Sequence, residues 1–326
     1  MKFLIIGLGS MGKRRIRNLQ CLGERDIVGF DLREDRRKEA EKKYEIKTIE
    51  NIKDLDLSTL DAIIISTPPD RHNEYIKLAI DNKKPAFVEA SVILEGLEQL
   101  NRLAKKEKVF IAPSCTLKFH PAIKEIKRIV QDKKYGRVTN FSYHSGQYLP
   151  DWHPWEKVTD FYAGKKETGG AREIVPFELT WIVDILGFPQ KIIGFYGKTM
   201  NVGADVDDTY LILMDFGKSF GSMIVDVVSR HATRDLILNM ENGQILWRWD
   251  EDFIKLYDAS VRQWQKIYYK KGYAAEGYNE NIIEDMYIEE MKAFLKGIKS
   301  GEGFPNSLDD DIRVLKLLNK IEKGEQ

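Results

Sequence analysis

The sequence predicts two domains. The first is an α/β domain, a Rossmann-type doubly wound parallel sheet; the second is α+β with a large, mostly antiparallel, open-faced sheet. Three observations carry this. Short uninterrupted apolar runs alternate with amphipathic stretches over the first part of the chain, as in parallel sheets covered on both faces. A glycine-rich turn, Gly7-Leu8-Gly9-Ser10-Met11-Gly12, joins the first apolar run to the first helix. Beyond Pro113 the apolar runs lengthen and several alternate with polar residues, the mark of an antiparallel sheet with one covered face.

In order, strands are expected at 3–6, 27–30, 62–66, 86–88 and 109–112, with helices at 9–22, 34–43, 70–81 and 94–106 between them. A helix follows at 121–131, placing Ile123, Ile126, Ile129 and Val130 on one face. Long strands are then expected at 138–148, 192–200, 209–216, 221–228, 236–241 and 244–249, with Ile182 to Leu186 in a helix before that run and an amphipathic helix at 281–298. The domains divide at 1–114 and 115–326, and the C-terminal helix is a candidate to pack back on the first domain. The length of 326 residues suits two cores rather than one.

Composition excludes several classes. Lys+Arg and Asp+Glu both number 51, so no overall field draws the chain to nucleic acid or to an anionic membrane. The local basic run Lys13, Arg14, Arg15 and Arg17 is read as a solvated helix face. Cys21 and Cys115 lack metal-ligand spacing and are read as buried thiols of a reducing compartment. The N-terminal run is too short for a signal peptide, and no stretch of about 18 apolar residues exists, so a cytoplasmic chain is expected. No group of His, Cys, Asp and Glu has ligand spacing, so no metal is expected.

The glycine turn gains meaning from its context. It follows an apolar strand and opens a helix, as a dinucleotide site requires: one glycine for the turn, one for the approach of the pyrophosphate, one for close strand–helix packing. Asp31, at the end of the second strand, is placed to bond the adenosine ribose hydroxyls and to repel a 2′-phosphate. The expected cofactor is NAD. Arg33, two residues on, offers a 2′-phosphate partner, which keeps NADP open as an alternative.

Further segments match one family in order and spacing: Ser66-Thr67-Pro68-Pro69-Asp70-Arg71-His72, Phe87-Val88-Glu89-Ala90-Ser91, Leu117-Lys118-Phe119-His120-Pro121 and Tyr135-Gly136-Arg137-Val138. With them the chain resembles the Gfo/Idh/MocA family, the glucose-fructose oxidoreductase and inositol dehydrogenase group, over nearly its whole length. The resemblance implies hydride transfer between a nicotinamide and a hydroxyl carbon of a sugar, amino sugar, cyclitol or nucleotide sugar. It implies that Ser66, Thr67 and Pro68 lie near the cofactor and Glu89 near its nicotinamide. His72 opens a helix beside that loop, near the cofactor; it is a candidate cofactor contact and reads as structural rather than catalytic. The resemblance also implies a homodimer or homotetramer paired through the open sheet.

Two family positions depart. The lysine of the glutamate–lysine–proline motif is Ala90 here, and the histidine four residues after an aspartate falls on Phe177, with Glu173 at the aspartate position. Such acid–base groups contribute roughly 10²–10⁴-fold in rate, so either other residues replace them or the standard reaction is lost. Candidate replacements are Glu173, Lys118, His153 and Tyr162, and candidate substrate contacts are Tyr143, Gln147, Trp152 and Arg172. The aromatic and polar segment from Tyr143 to Glu173 resembles a substrate lid; an aromatic cluster packing the loop, or a subunit contact, fits the same composition. His120 reads as a capping or core residue, and His144 as exposed or functional. A redox-neutral enzyme that retains its cofactor and a non-catalytic dinucleotide-binding sensor stand as alternatives to net oxidation or reduction.

Overall fold

The computed structural model describes residues 1–154, 156–270, 272–274, 283–300 and 303–324. It comprises two compact units, Met1–Thr116 with Asp285–Arg313, and Leu117–Glu284 with Val314–Gln326.

The first unit is built on strands β1 (Lys2–Ile6), β2 (Asp26–Phe30), β3 (Lys47–Ile49), β4 (Ala62–Ile65), β5 (Ala86–Val88) and β6 (Ile111–Pro113), in the order β3-β2-β1-β4-β5-β6. Every pairing is parallel. The strand order reverses between β1 and β4, the place where such sheets bind ligands at their C-terminal edge. Helices α1 (Ser10–Cys21), α2 (Glu34–Tyr44), α3 (His72–Asp81) and α4 (Leu97–Glu107) connect them. Because helices cover both faces, the central strand β4 is apolar at every residue and wholly buried. The edge strand β3 escapes prediction because its short Lys-Thr-Ile run carries no continuous apolar signal.

In the second unit α5 (Pro121–Asp132) leads into β7 (Val138–Tyr148), and α6 (Ala171–Leu186) precedes β8 (Lys191–Gly197), β9 (Thr209–Asp215), β10 (Phe220–Asp226), β11 (Val228–Met240), β12 (Gly243–Arg248), β13 (Phe253–Asp258) and β14 (Gln263–Tyr268). Their order is β14-β13-β12-β11-β7-β10-β9-β8, antiparallel except for the β7–β10 pair. Alternation sorts the two faces. Tyr210, Ile212, Met214, Met223 and Val225 are buried, whereas Phe195, Leu211, Leu213, Ile224 and Ile237 stand on the open face. The last hairpin is not anticipated; β14 is exposed along most of its length and lacks a one-face pattern. His120 is both cap and core: its Nδ1 accepts from the Ala122 N–H, and its ring stacks on Trp249 with centroids 5.3 Å apart. Burial, with Arg234 nearby, pulls its pKa down to about 3.

Helices α7 (Glu284–Ser300) and α8 (Leu308–Lys323) close the chain. The expected start of α7 at Asn281 lies outside the described residues. Residues 285–313 return to the first unit, and a buried ionic cluster there overturns the solvated-face reading of the basic run. Arg15 is inaccessible and Arg14 nearly so. The Arg15 guanidinium donates to both oxygens of Glu89, at 2.6 and 2.9 Å, and lies 2.9 Å from Glu290 of α7. It also sits over the rings of Phe87 and Tyr287. Glu290 accepts in addition from Ser114 and Thr116 hydroxyls and the Cys115 N–H. The thiol reading holds for Cys115, which is buried, and fails for Cys21, which is exposed at the end of α1. Among the described residues no helix is long and apolar enough to cross a membrane.

The cluster predicts an asymmetric cost. Glu290→Gln leaves buried Arg15 short of charge and should destabilise by about 3 kcal/mol. Glu34→Gln, which breaks an exposed, solvent-screened pair with Lys38, should cost far less. Urea unfolding followed by circular dichroism measures both; equal small shifts would show the buried pair to be dispensable.

Candidate functional site

The dinucleotide turn is built from three glycines with different constraints. Gly7 leaves β1 at φ +92°, and a Cβ there would lie 2.5 Å from the Ser66 carbonyl oxygen. A Cβ on Gly12 would lie 1.8 Å from the Gly7 carbonyl oxygen, so strand and helix meet only without it. At Gly9 the nearest atom to a Cβ is Arg36 Nη1, 3.6 Å away, so this position is open for a ligand to approach. Gly9 caps α1 with no side-chain acceptor. The first-turn N–H groups of Ser10, Met11 and Gly12 are therefore donors for an anion, and the helix dipole adds to their pull. The Met11 sulfur accepts from Arg14. Asp31 accepts the Leu8 N–H at Oδ2 and the Arg33 N–H at Oδ1, which fixes the carboxylate and leaves a lone pair on each oxygen for ribose hydroxyls. The Arg33 side chain turns away onto Asp35 at 2.6 Å.

Across the switch point, Ser66 donates its N–H to Ile6 and its hydroxyl to Glu89 at 3.3 Å. Glu89 is held by Arg15, a residue that the sequence reading leaves on the surface. Thr67 Oγ1 is sealed from solvent without a protein partner, the kind of atom a bound group satisfies. Pro68 precedes a 3-10 turn at Pro69–Arg71. His72 Nε2 bonds the Thr67 carbonyl at 2.8 Å, and burial lowers the ring's pKa, so a neutral His72 clamps the loop. An open Gly9, uncapped donors, a fixed Asp31 and the Thr67 hydroxyl fit a dinucleotide.

The second unit assembles a separate polar cluster. Gly169 packs so closely on Ala163 that a Cβ would lie 2.0 Å from its carbonyl oxygen. This draws the turn Tyr162–Gly164 against the start of α6. Tyr162 there donates its hydroxyl to Glu173 Oε1 at 2.6 Å. Glu173 Oε2 is buried without a partner. Burial raises the Glu173 pKa to about 7, against the lowering effect of the Tyr162 hydroxyl. Phe161 sits edge-on to Tyr162 and 4.5 Å from the His153 ring, whose Nδ1 is 2.6 Å from Glu156. The indole N–H of Trp152 is also buried without a partner. Glu173, Tyr162 and His153 thus form one chain of contacts.

The remaining candidates lie elsewhere. Tyr143 is 1% exposed; it donates to Glu178 and meets Trp181 edge-to-face beneath α6, which removes it from the substrate contacts. Lys118 lies 3.6 Å from Asp184, which also binds Lys127. Arg172 spends its fork on Glu322, at 2.6 and 3.1 Å. Gln147 is half-buried near the end of β7. His144 pairs with Asp226 at 2.6 Å. Among the described residues no three His, Cys, Asp or Glu side chains are grouped to hold a metal ion.

A parallel sheet with a dinucleotide turn, followed in sequence by a large open sheet, defines an oxidoreductase architecture. The chain belongs to the Gfo/Idh/MocA family: residues 1–114 match its profile described as an oxidoreductase family with an NAD-binding Rossmann fold, and residues 123–246 match its C-terminal domain. The first unit is accordingly an NAD-binding Rossmann domain. The chain is 24% identical over 325 residues to myo-inositol 2-dehydrogenase of Thermotoga maritima, covering 93% of this chain and 89% of the relative. Its fold is similar to an oxidoreductase from Agrobacterium radiobacter solved with NAD+, L-tartaric acid and magnesium, at TM-score 0.87 and 14% identity over 99% of this chain and 95% of the other. Levoglucosan dehydrogenase in complex with NADH is similar at TM-score 0.85 and 16% identity, covering 99% and 96%.

The glycines give a clean comparison. Gly9→Ala should keep the melting temperature of the parent and weaken NAD binding at least about tenfold, or about 1.4 kcal/mol. Gly12→Ala should lower both. Calorimetric titration and thermal unfolding decide; tight NAD binding by Gly9→Ala would remove the turn from the cofactor site.

Proposed function

We propose that the chain is an NAD-dependent dehydrogenase or reductase acting on a CH–OH group of a sugar, amino sugar or nucleotide-sugar derivative, with Glu173 exchanging the hydroxyl proton. NAD, when bound, supplies the hydride acceptor at its nicotinamide ring. The alcohol's O–H proton goes to the Glu173 carboxylate as the carbonyl forms, and reduction runs the same transfer backwards. The observation that carries this reading is the Glu173–Tyr162 pair: a buried carboxyl with one oxygen unpartnered and a pKa raised to about 7. An acid–base group works best with a pKa near the working pH. The pair takes over from the lysine and histidine that are Ala90 and Phe177 here. His153 packs on Phe161, which packs in turn on Tyr162, so it supports the position of the pair. Lys118 and Arg172, committed to Asp184 and Glu322, have no part in this chemistry.

The reading extends to assembly. Phe195 is 81% exposed on the open sheet face and lies in register with Leu211, which pairs in turn with Ile224. An apolar row of this kind is a covered surface in a soluble protein, and copies of the chain cover it in a homodimer or homotetramer. Light scattering should give a dimer or tetramer mass, and Phe195→Glu should shift it towards monomer. A monomeric parent at micromolar concentration would refute the assembly.

The chemistry is tested by absorbance of the reduced nicotinamide against a panel of sugars and nucleotide sugars. For oxidation, kcat/KM should rise with pH through about 7 as Glu173 loses its proton; for reduction it should fall over the same range. Glu173→Gln should lower kcat by roughly 10²-fold or more and flatten that limb. NAD binding without turnover of any panel member would instead favour the redox-neutral or sensor function that Ala90 and Phe177 permit.

Stability is linked to the same group. A carboxyl whose pKa is raised on folding stabilises below its ordinary value of 4.5 and loses that contribution as pH rises through about 7. Glu173→Gln should therefore gain stability relative to the parent between pH 5 and pH 8, by an amount on the order of 2–3 kcal/mol. Denaturant midpoints at the two pH values measure it; a constant difference would mean that Glu173 is ionised throughout.

A further inference from the structure

Arg172 and Glu173 are neighbours in the first turn of α6, yet their partners differ. Glu173 accepts from Tyr162. The Arg172 guanidinium is engaged on two sides. Nε and Nη2 donate to the two carboxylate oxygens of Glu322, at 2.6 and 3.1 Å, and Nη1 donates to the Glu167 carbonyl oxygen at 2.5 Å. Glu322 lies in the last turn of α8, 150 positions away in sequence. It is fixed in its own right: its Oε1 also accepts from the Tyr210 hydroxyl at 2.9 Å, and its carbonyl oxygen from the Tyr196 hydroxyl at 3.1 Å. Those two rings stack with centroids 5.0 Å apart, from paired positions on β8 and β9.

Glu167 belongs to the loop that carries Tyr162. The Thr168 hydroxyl donates to the Tyr162 carbonyl, the Gly169 N–H to that of Lys165, and the Gly170 N–H to that of Ala163. These bonds shape the loop locally. Arg172 ties it to the rest of the unit, because one rigid, planar fork reaches the loop with Nη1 and α8 with Nε and Nη2. The ion pair is largely shielded, with side chains 15% and 18% exposed, so solvent and salt screen it less than a surface pair.

We propose that Glu322 is a positioning residue for the Glu173–Tyr162 pair: through Arg172 it clasps the Tyr162 loop to the start of α6 and keeps carboxyl and hydroxyl 2.6 Å apart in a site closed to water. The inference rests on the reading of Glu173 as the proton-exchanging group. Neither Arg172 nor Glu322 takes the proton; both act through geometry. A displacement of about 1 Å at a reacting centre costs roughly 10²-fold in rate, so the last turn of the C-terminal helix bears on the chemistry without touching it.

The test follows the Glu173 carboxyl itself, by carbon NMR of glutamate-labelled protein with the resonance assigned from Glu173→Gln, and with no cofactor or substrate present. In the parent it should titrate at about 7. Burial is the larger of the two influences on Glu173, so opening the clasp to water outweighs loss of the Tyr162 bond, and in Glu322→Gln the midpoint should fall towards the ordinary 4.5. Glu322→Asp, which keeps the charge, should recover part of that change. Asp184→Asn, which breaks the ion pair with Lys127 elsewhere on α6, should leave the midpoint at about 7. In turnover, Glu322→Gln should lower kcat at least about tenfold with KM changed less than about threefold. On a Tyr162→Phe background its further effect should be less than about threefold, because the pair is already broken. An unmoved Glu173 midpoint in Glu322→Gln, an equal change in Asp184→Asn, or additive effects of Glu322→Gln and Tyr162→Phe would each overturn the positioning role. A midpoint that moves as expected while Glu173→Gln keeps full kcat would uphold the clasp and overturn the catalytic reading of Glu173.

Discussion

Arg15 has no access to solvent, and a guanidinium cannot give up its proton to relieve that burial. Its charge has to be met by carboxylates in fixed places, and this constraint organises the first unit. Glu89 meets it from the end of β5 and Glu290 from α7, a helix 175 positions further along the chain than the Cys115 N–H that it also binds. The rings of Phe87 and Tyr287 supply the walls. One side chain of the helix that follows the dinucleotide turn thereby holds the end of β5 and the returning helix together. Glu89 keeps its place at the C-terminal edge of the sheet, where Ser66 reaches it.

The second unit shows how the same residue type divides into two roles. Glu178 and Glu173 lie five residues apart on α6 and so point to different faces. Glu178 is fully buried and accepts from Tyr143, Ser145, Trp181 and Arg234. With its oxygens saturated by donors, it is a fastening between helix and sheet. Glu173 has the Tyr162 hydroxyl on one oxygen and nothing on the other. Burial with few compensating donors raises the Glu173 pKa. The donor set, rather than depth, separates the carboxylate that fastens the fold from the one proposed to exchange a proton.

What remained illegible follows a pattern. Lys13 to Arg17 looks like a solvated face because consecutive basic residues usually are; its partners Glu89 and Glu290 are far away in sequence, and nothing local announces them. Tyr143 looks like a ligand contact because it stands in a polar and aromatic stretch, yet β7 turns alternate residues to opposite faces and puts Tyr143 under α6. Arg33 looks like the phosphate partner because it follows Asp31 closely, while the helical start of α2 delivers Arg36 to Asp31 and leaves Arg33 with Asp35. The strands β3 and β14 lack the apolar continuity or alternation that identifies a strand from its own residues.

By itself the sequence determined the parallel and antiparallel sheets and the dinucleotide turn with its acidic partner. Each is written in local spacing: strand period, helix period, and glycines that a Cβ would make impossible. Only the tertiary structure decided which charged side chains are spent and which remain for chemistry. That choice depends on donors and acceptors brought from distant parts of the chain, as Glu322 is to Arg172 and Glu290 to Arg15, and burial magnifies the consequence because an unmatched charge there has no water to turn to.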